Sequence, residues 1–235
     1  MKRKQRKDAQ ETRQRLLTAA AEVFARKGFW EATHAEICEK AKANIAAVNY
    51  HFGSKENLYV EAWKHSVEES VKAHPPDGGV RPSAPVQERL HARILSVMQS
   101  IADPNTHEID LIHKEMANPT GLLVEPMRKA IEPIEQGFRS IVRELLGVEA
   151  NERRVTLCQM SIMTQCFDPV LRLRFAKTMP KPHPPALPCG VEELAHHVTQ
   201  FSLAGIRGIR EGVSENRKAG KTRGFRNRGA HDRCT

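Results

Sequence analysis

The chain has 235 residues, of which 40% are hydrophobic and 28% charged, with a formal net charge of +9; that is enough for one or two domains with real cores. No run of 18 apolar residues offers a membrane span, and the N-terminus lacks the apolar stretch of a signal peptide, so a cytoplasmic protein with no membrane partner is expected. Five scattered cysteines without a C-x-x-C pair read as reduced thiols, and the absence of Walker, Rossmann and G-x-S-x-G signatures argues against an enzyme.

Taken in chain order, the sequence opens on a basic arm, with six lysines and arginines in residues 1–13 against Asp8 and Glu11. A basic arm beside a folded head suits a polyanion such as DNA, through phosphate neutralisation and counterion release; a solubilising extension is the alternative. Asp8 and Glu11 also make a helix-start signal, after which Leu16, Ala20, Val23 and Phe24 recur on one face as far as Gly28, a C′ position. The pattern predicts a first helix over 8–27. Thr33 and Glu36 form a capping box that opens a short second helix with Ile37 and Ala41 inward. Asn44 caps a third helix from Ile45 to Tyr50, a tight turn after the second stops near Lys42. Two short helices joined this way make a helix-turn-helix. Ser54 caps a fourth, with Leu58, Tyr59, Ala62, Trp63 and Val67 on one stripe, lasting to the Pro- and Gly-rich break at 74–79.

Residues 12–63 resemble the DNA-binding domain of TetR-family transcriptional regulators, in the long first helix, the aromatic after Gly28, the Thr33 cap and the closing NYHFGSKENL. Two positions depart from the family pattern. Lys42 stands where a turn glycine is usual, which predicts αL strain or a different turn. Asn49 stands where Tyr is frequent and supplies an amide that can pair with adenine N6 and N7. With this docking, Asn49, Tyr50 and His51 face a groove, Phe52 packs inward, and Gly53 lets the chain reverse. Ser54 then starts the fourth helix so that its N–H groups and Lys55 point at a phosphate. Small side chains at Ala46, Ala47 and Val48 permit close approach. The expected DNA-binding set is Thr33, His34, Ala46, Ala47, Asn49, Tyr50, His51 and Lys55. The alternative for Tyr50 and His51 is a polar-capped pair of core rings.

Beyond the break, Val86 to Ile101 is amphipathic, and Ile109, Ile112, His113 and Met116 share a face on the next helix. The acids Glu108, Asp110 and Glu115 on that helix read as solvated charge. Leu123, Met127, Ile131, Ile134, Phe138, Ile141 and Leu145 repeat at three and four through a long helix interrupted by Pro126 and Pro133. Val155, Cys158, Ile162 and Cys166 make another stripe. After a Pro-rich loop at 180–188, a last helix runs from Val191 to Gly212 with Leu194, Val198, Phe201 and Gly205. The tail 214–235 holds seven lysines and arginines against Glu215 and Asp232, with Phe225 among almost no apolar residues, and is expected to be disordered. Acids and bases balance between the two basic ends.

This second half resembles the CecR-like branch of the same family in LIHKEMANPTGL and GVEELAHHVTQFSLAGIRGI. The resemblance implies a ligand cavity walled by the bent central helix, kinked at 129–133, and a four-helix dimer interface for which Gly205, Gly208 and Gly212 thin the last helix. Local flexibility is the alternative for those glycines. The whole therefore reads as an all-α chain. Its parts are a helix-turn-helix head at 8–53, a connecting helix at 54–73, a ligand-binding and dimerisation domain at 86–213, and the basic tail at 214–235. The expected function is a homodimeric repressor of a palindromic operator in double-stranded DNA, since two reading helices must sit about 34 Å apart to use successive major grooves. A small, largely apolar effector would release it, with Ile112, His113, Met116, Phe138, Met160, Met163 and Phe167 as candidate lining. The alternatives are a ligand-independent DNA-binding protein and a metal-responsive regulator. The metal reading rests on His183, Cys189, His196 and His197, whose spacing matches no zinc pattern. No cofactor and no catalytic residue is expected.

Overall fold

The computed structural model describes the backbone of residues 2–175 and 189–226 and the side chains of 6–174 and 189–212. Among these residues there is no strand. The helices are α1 (Lys2–Glu31), α2 (His34–Ala41), α3 (Ile45–Phe52), α4 (Lys55–Ala73), α5 (Val86–Ala102), α6 (Glu108–Ala117), α7 (Val124–Leu146), α8 (Glu152–Phe175) and α9 (Val191–Arg226), with a 3₁₀ turn at Gly147–Glu149. The chain falls into two compact units, Met1–Pro76 with Gln99–Ile134, and Asp77–Met98 with Glu135–Thr235. The division passes through α5 and α7. The segment 86–213, read from sequence as one domain, is thus shared between both units.

In the first unit, α1 packs on α2, α3, α4 and α6. Leu16, Ala20 and Phe24 from α1, Ile37 from α2, Val48 and Phe52 from α3 and Leu58, Tyr59 and Trp63 from α4 close one apolar core with Leu111 and Leu123. Phe24 meets the Tyr59 ring edge-on at 4.9 Å, a geometry favoured by the ring quadrupoles. Gly28 leaves helical geometry at φ 80, ψ 176, so the regular part of α1 ends at Lys27, where the sequence places it. At the other end α1 begins at Lys2, ahead of Asp8: Lys, Arg and Gln are good helix formers, and nothing between Lys2 and Asp8 breaks the run.

Glu108 and Glu115, expected as solvated acids, are buried instead. The Glu115 carboxylate accepts hydrogen bonds from the Tyr59 hydroxyl at 3.0 Å, the Thr120 N–H and hydroxyl at 2.9 Å each, and the Gly121 N–H at 2.9 Å. These partners offset the desolvation of a buried charge. Burial, followed by the charge of Glu115, raises the Tyr59 pKa well above the usual phenol range.

The second unit buries Leu90 and Ile94 of α5, Phe138, Ile141, Val142 and Leu146 of α7, Val155, Cys158, Ile162, Cys166 and Val170 of α8, and Ala195, Val198 and Ile206 of α9. The α8 stripe is the expected one, extended by Val170. Three features differ from the expectations or add to them. First, α7 is continuous: Pro126 sits in its first turn, where no N–H is needed, and Pro133 lies inside the helix, whose buried face holds it together. Along it Ile131 is exposed, while Val142 and Leu146 turn inward. Second, α9 presents Ala195, Val198, Thr199, Ser202 and Ile206 inward and leaves Phe201 and Gly205 outside. Third, the backbone of 214–226 is helical, because glycine weakens a helix by only about 1 kcal/mol and no proline ends this one. The Pro-rich loop at 180–188 and the end of the tail, 227–235, lie outside the described residues.

Candidate nucleic-acid interface

Three side-chain caps in 22 residues fix the geometry of the head. The Thr33 Oγ1 accepts the Glu36 N–H at 3.3 Å while the Glu36 carboxylate accepts the Thr33 N–H at 3.2 Å, which completes the capping box of α2. Lys27 pairs with the same carboxylate and is the main reason its pKa is lowered. After α2 the chain turns at Lys42, whose φ 50, ψ 49 is left-handed, so this residue carries the αL strain that a glycine would avoid. Its N–H closes on Glu39 O at 3.1 Å, and the Ala43 N–H on Cys38 O at 2.9 Å. Asn44 then starts α3, its Oδ1 accepting the Ala47 N–H at 2.8 Å.

α3 separates its faces sharply. Val48 and Phe52 are buried, with the Arg13 guanidinium 5.3 Å from the Phe52 ring centroid. Tyr50 is 80% exposed, which removes the core-ring alternative for it, and Asn49, Ala46 and Ile45 are exposed beside it. His51 is half-buried and meets the Tyr50 ring edge-on at 4.9 Å. Gly53 reverses the chain at φ 74, with open space where a Cβ would stand, so its requirement is conformational. Ser54 caps α4 by accepting the Asn57 N–H at 3.2 Å, and Asn57 Nδ2 donates to Phe52 O at 3.1 Å. The first turn of α4 is thereby held against the end of α3.

Lys55, the first residue of α4, is half-buried, with Nζ 4.7 Å from the centroid of the Phe29 ring; burial lowers its pKa. The ring braces the ammonium. Thr33 is exposed at the start of α2, whereas His34 is half-buried with its Nε2 shielded and without a hydrogen bond. Ala47 is half-buried against the core. Of the eight expected contacts, Thr33, Ala46, Asn49 and Tyr50 are therefore exposed, and His34, Ala47, His51 and Lys55 are half-buried. Ile45, 51% exposed, shares their face and was missed by sequence reasoning. Its signal was present: it follows the Asn44 cap and lies one helical turn before Asn49. What such an arrangement does chemically is present an amide, a phenol and small apolar groups on a short, rigidly capped helix, flanked by the N-termini of α2 and α4, whose N–H groups attract anions.

The expected effector residues are spread out. Ile112, His113 and Met116 belong to the first unit, where Ile112 packs on the core and Met116 is exposed; Phe138, Met160, Met163 and Phe167 belong to the second, where Phe138 is fully buried and Met160 exposed. A cleft of about 440 Å³ in the first unit is lined by Gln14, Thr18, His65, Ser66, Glu69 and Thr106 among others, and by none of the seven. Among the described residues no cluster of His, Cys, Asp or Glu could hold a metal ion, and His183 lies outside them. Cys38, Cys158, Cys166 and Cys189 are free thiols, and burial pushes the Cys166 thiol up to about 12, which makes it inert.

Comparison with known proteins bears on both halves. The family model of bacterial regulatory proteins of the tetR family matches residues 16–62, and that of the C-terminal domain of the HTH-type transcriptional dual regulator CecR matches residues 86–206. CecR of Shigella flexneri is 26% identical over 158 residues, covering 63% of this chain and 70% of that protein. The HTH-type transcriptional regulator SrpR of Pseudomonas putida is 26% identical over 144 residues, 61% of this chain and 65% of its own length, so the match spans just under two thirds of that relative. A TetR-like transcriptional regulator from Rhodococcus sp. RHA1 superposes with a TM-score of 0.64 at 16% identity, over 84% of this chain and 96% of the other, which shows a common fold.

Proposed function

The chain belongs to the TetR family of bacterial transcriptional regulators, in its CecR-like branch, and from there we propose that it represses transcription as a homodimer on a palindromic operator and lets go when a small, largely apolar effector binds. It is a regulator and not an enzyme. The observation that carries the proposal is the uncovered face of α3, with Asn49 exposed and Tyr50 at 80%, held between the capped starts of α2 and α4. Thr33, Ala46 and Lys55 border that face, and His34, Ala47 and His51 support it from half-buried positions.

Dimerisation draws support from α8 and α9. Leu157 and Met160 on α8 and Phe201 and Ile209 on α9 are 42–61% exposed, and Gly205, Gly208 and Gly212 have open space around them. Exposed apolar side chains on two helices that pack on each other suit a helical interface with a second copy. Release is a population shift: the effector must bind more tightly to the arrangement whose heads are wrongly spaced for DNA. The proposed workplace is the cytoplasm, where operator DNA lies; among the described residues no helix is long and apolar enough to cross a membrane. The test is recovery of genomic fragments with the purified full chain, followed by gel shift with an apolar compound library. An inverted repeat bound by two chains and released by a compound is the expected result, and recovery of no preferred fragment contradicts the proposal.

A further inference from the structure

The open face of α3 carries no formal charge. Ile45, Ala46, Asn49 and Tyr50 fall within about 140° of arc on a helix of 3.6 residues per turn, and the buried Val48 and Phe52 lie outside it. No Lys, Arg, Asp or Glu occurs anywhere in the eight residues of α3. The lysines that precede it stand off the helix: Lys40 is held by Glu22 at 2.5 Å, and Lys42 occupies the left-handed turn. The cation that follows, Lys55, rests on the Phe29 ring at the start of α4. Charge therefore lies at the ends of the reading helix and not along its face.

That separation has a consequence for base recognition. In the major groove guanine shows two acceptors, N7 and O6, which Arg or Lys match best. Cytosine shows an amine, which Asp or Glu match. Adenine shows an acceptor beside a donor, the complement of a carboxamide, and thymine shows a methyl group, the complement of an apolar side chain. α3 offers neither of the first two partners and both of the last. Resting on the operator-binding reading above, we infer that the half-site core read by α3 consists of A·T pairs, with Asn49 on adenine N6 and N7 and Ile45 on a thymine 5-methyl group. Ala46 gives the backbone room to approach. The Tyr50 hydroxyl both donates and accepts and so adds affinity without choosing a base. Phosphate contacts at the starts of α2 and α4 set the register and carry no sequence information.

The experiment is selection from a random duplex pool with the full chain, then replacement of each selected thymine by deoxyuridine, which removes the methyl and nothing else. A·T pairs should fill the core. Loss of one methyl should weaken binding about fourfold, the equivalent of one buried carbon, and the same replacement should leave Ile45→Ala unaffected. Asn49→Ala should lose roughly 5- to 150-fold and relax preference at one A·T pair. A core with indispensable G·C pairs, or indifference to every methyl, overturns the base assignment while leaving operator binding intact. A pool that yields no enriched sequence overturns both.

Discussion

The head and the second half of this chain are built from the same kind of helix, yet they depend on distance in opposite ways. Between residues 33 and 55 each helix start is fixed by a side chain that bonds three residues onward, at Thr33, Asn44 and Ser54, and each reversal by one residue at positive φ, Lys42 or Gly53. In the second unit the faces of α7 and α9 are set by what they bury, and prolines at 133 and 169 are carried inside helices without ending them. Local chemistry decides the first region and long-range packing the second. A reading surface benefits from the first arrangement, since short capped helices hold Asn49 and Tyr50 in place without any partner.

The largest losses should come from the cores. Phe24→Ala removes a fully buried ring of the first unit that touches both Phe29 and Tyr59, and should cost about 3–5 kcal/mol in chemical denaturation. Glycine substitutions separate conformation from packing. Gly78, at φ 63, would place a Cβ 2.7 Å from Ala92 Cβ and O, whereas Gly53, at φ 74, has open space. Gly78→Ala should therefore lose about 2–5 kcal/mol, from positive-φ strain plus overpacking, and Gly53→Ala only the strain of its φ 74, ψ −45 backbone, about 1–3 kcal/mol. Equal losses in thermal melts would contradict the separation.

Smaller effects sharpen the local side. Thr33→Ala and Asn44→Ala should each cost about 0.5–2 kcal/mol, with Thr33→Ser recovering most of its loss. The mildest effect concerns pH. His65 is nearly buried beside Gln14 and Thr18, and burial depresses its pKa below the ordinary imidazole value. The unfolded chain then takes up a proton that the folded one refuses. Stability should be fully present above about pH 6.5 and decline as pH falls toward the folded value. His65→Gln should flatten that decline in urea titrations between pH 5 and 7, and an unchanged slope would assign it to other groups.

What was legible in the sequence follows the same divide. The caps and Gly28 are readable because their signals sit within four residues, whereas the inward turn of Phe52 follows from the resemblance of the head, its partner Arg13 lying 39 residues away. The burial of Glu115 is not legible locally, because it depends on Tyr59, 56 residues away, and on the Thr120–Gly121 turn that folds back onto the carboxylate. On α9 the apolar pattern names Val198 and Phe201 without saying which side packs within the chain, and Phe201 is 61% exposed while Val198 is buried. Met116, 75% exposed, and Met160, 60% exposed, are apolar residues on central helices, and helix position does not fix which way a side chain turns. Ile45 is hard to read because an apolar residue after a cap usually packs, whereas this one is 51% exposed.

If α3 meets DNA through a face the fold does not need, Tyr50→Ala should separate binding from stability. Operator affinity by fluorescence anisotropy and melting temperature are measured on the same preparation. Affinity should fall by roughly 5- to 150-fold while the melting temperature stays within a degree or two, as expected for a side chain that is 80% exposed. A variant that melts far lower yet binds normally once folded would make Tyr50 part of the core and contradict the account.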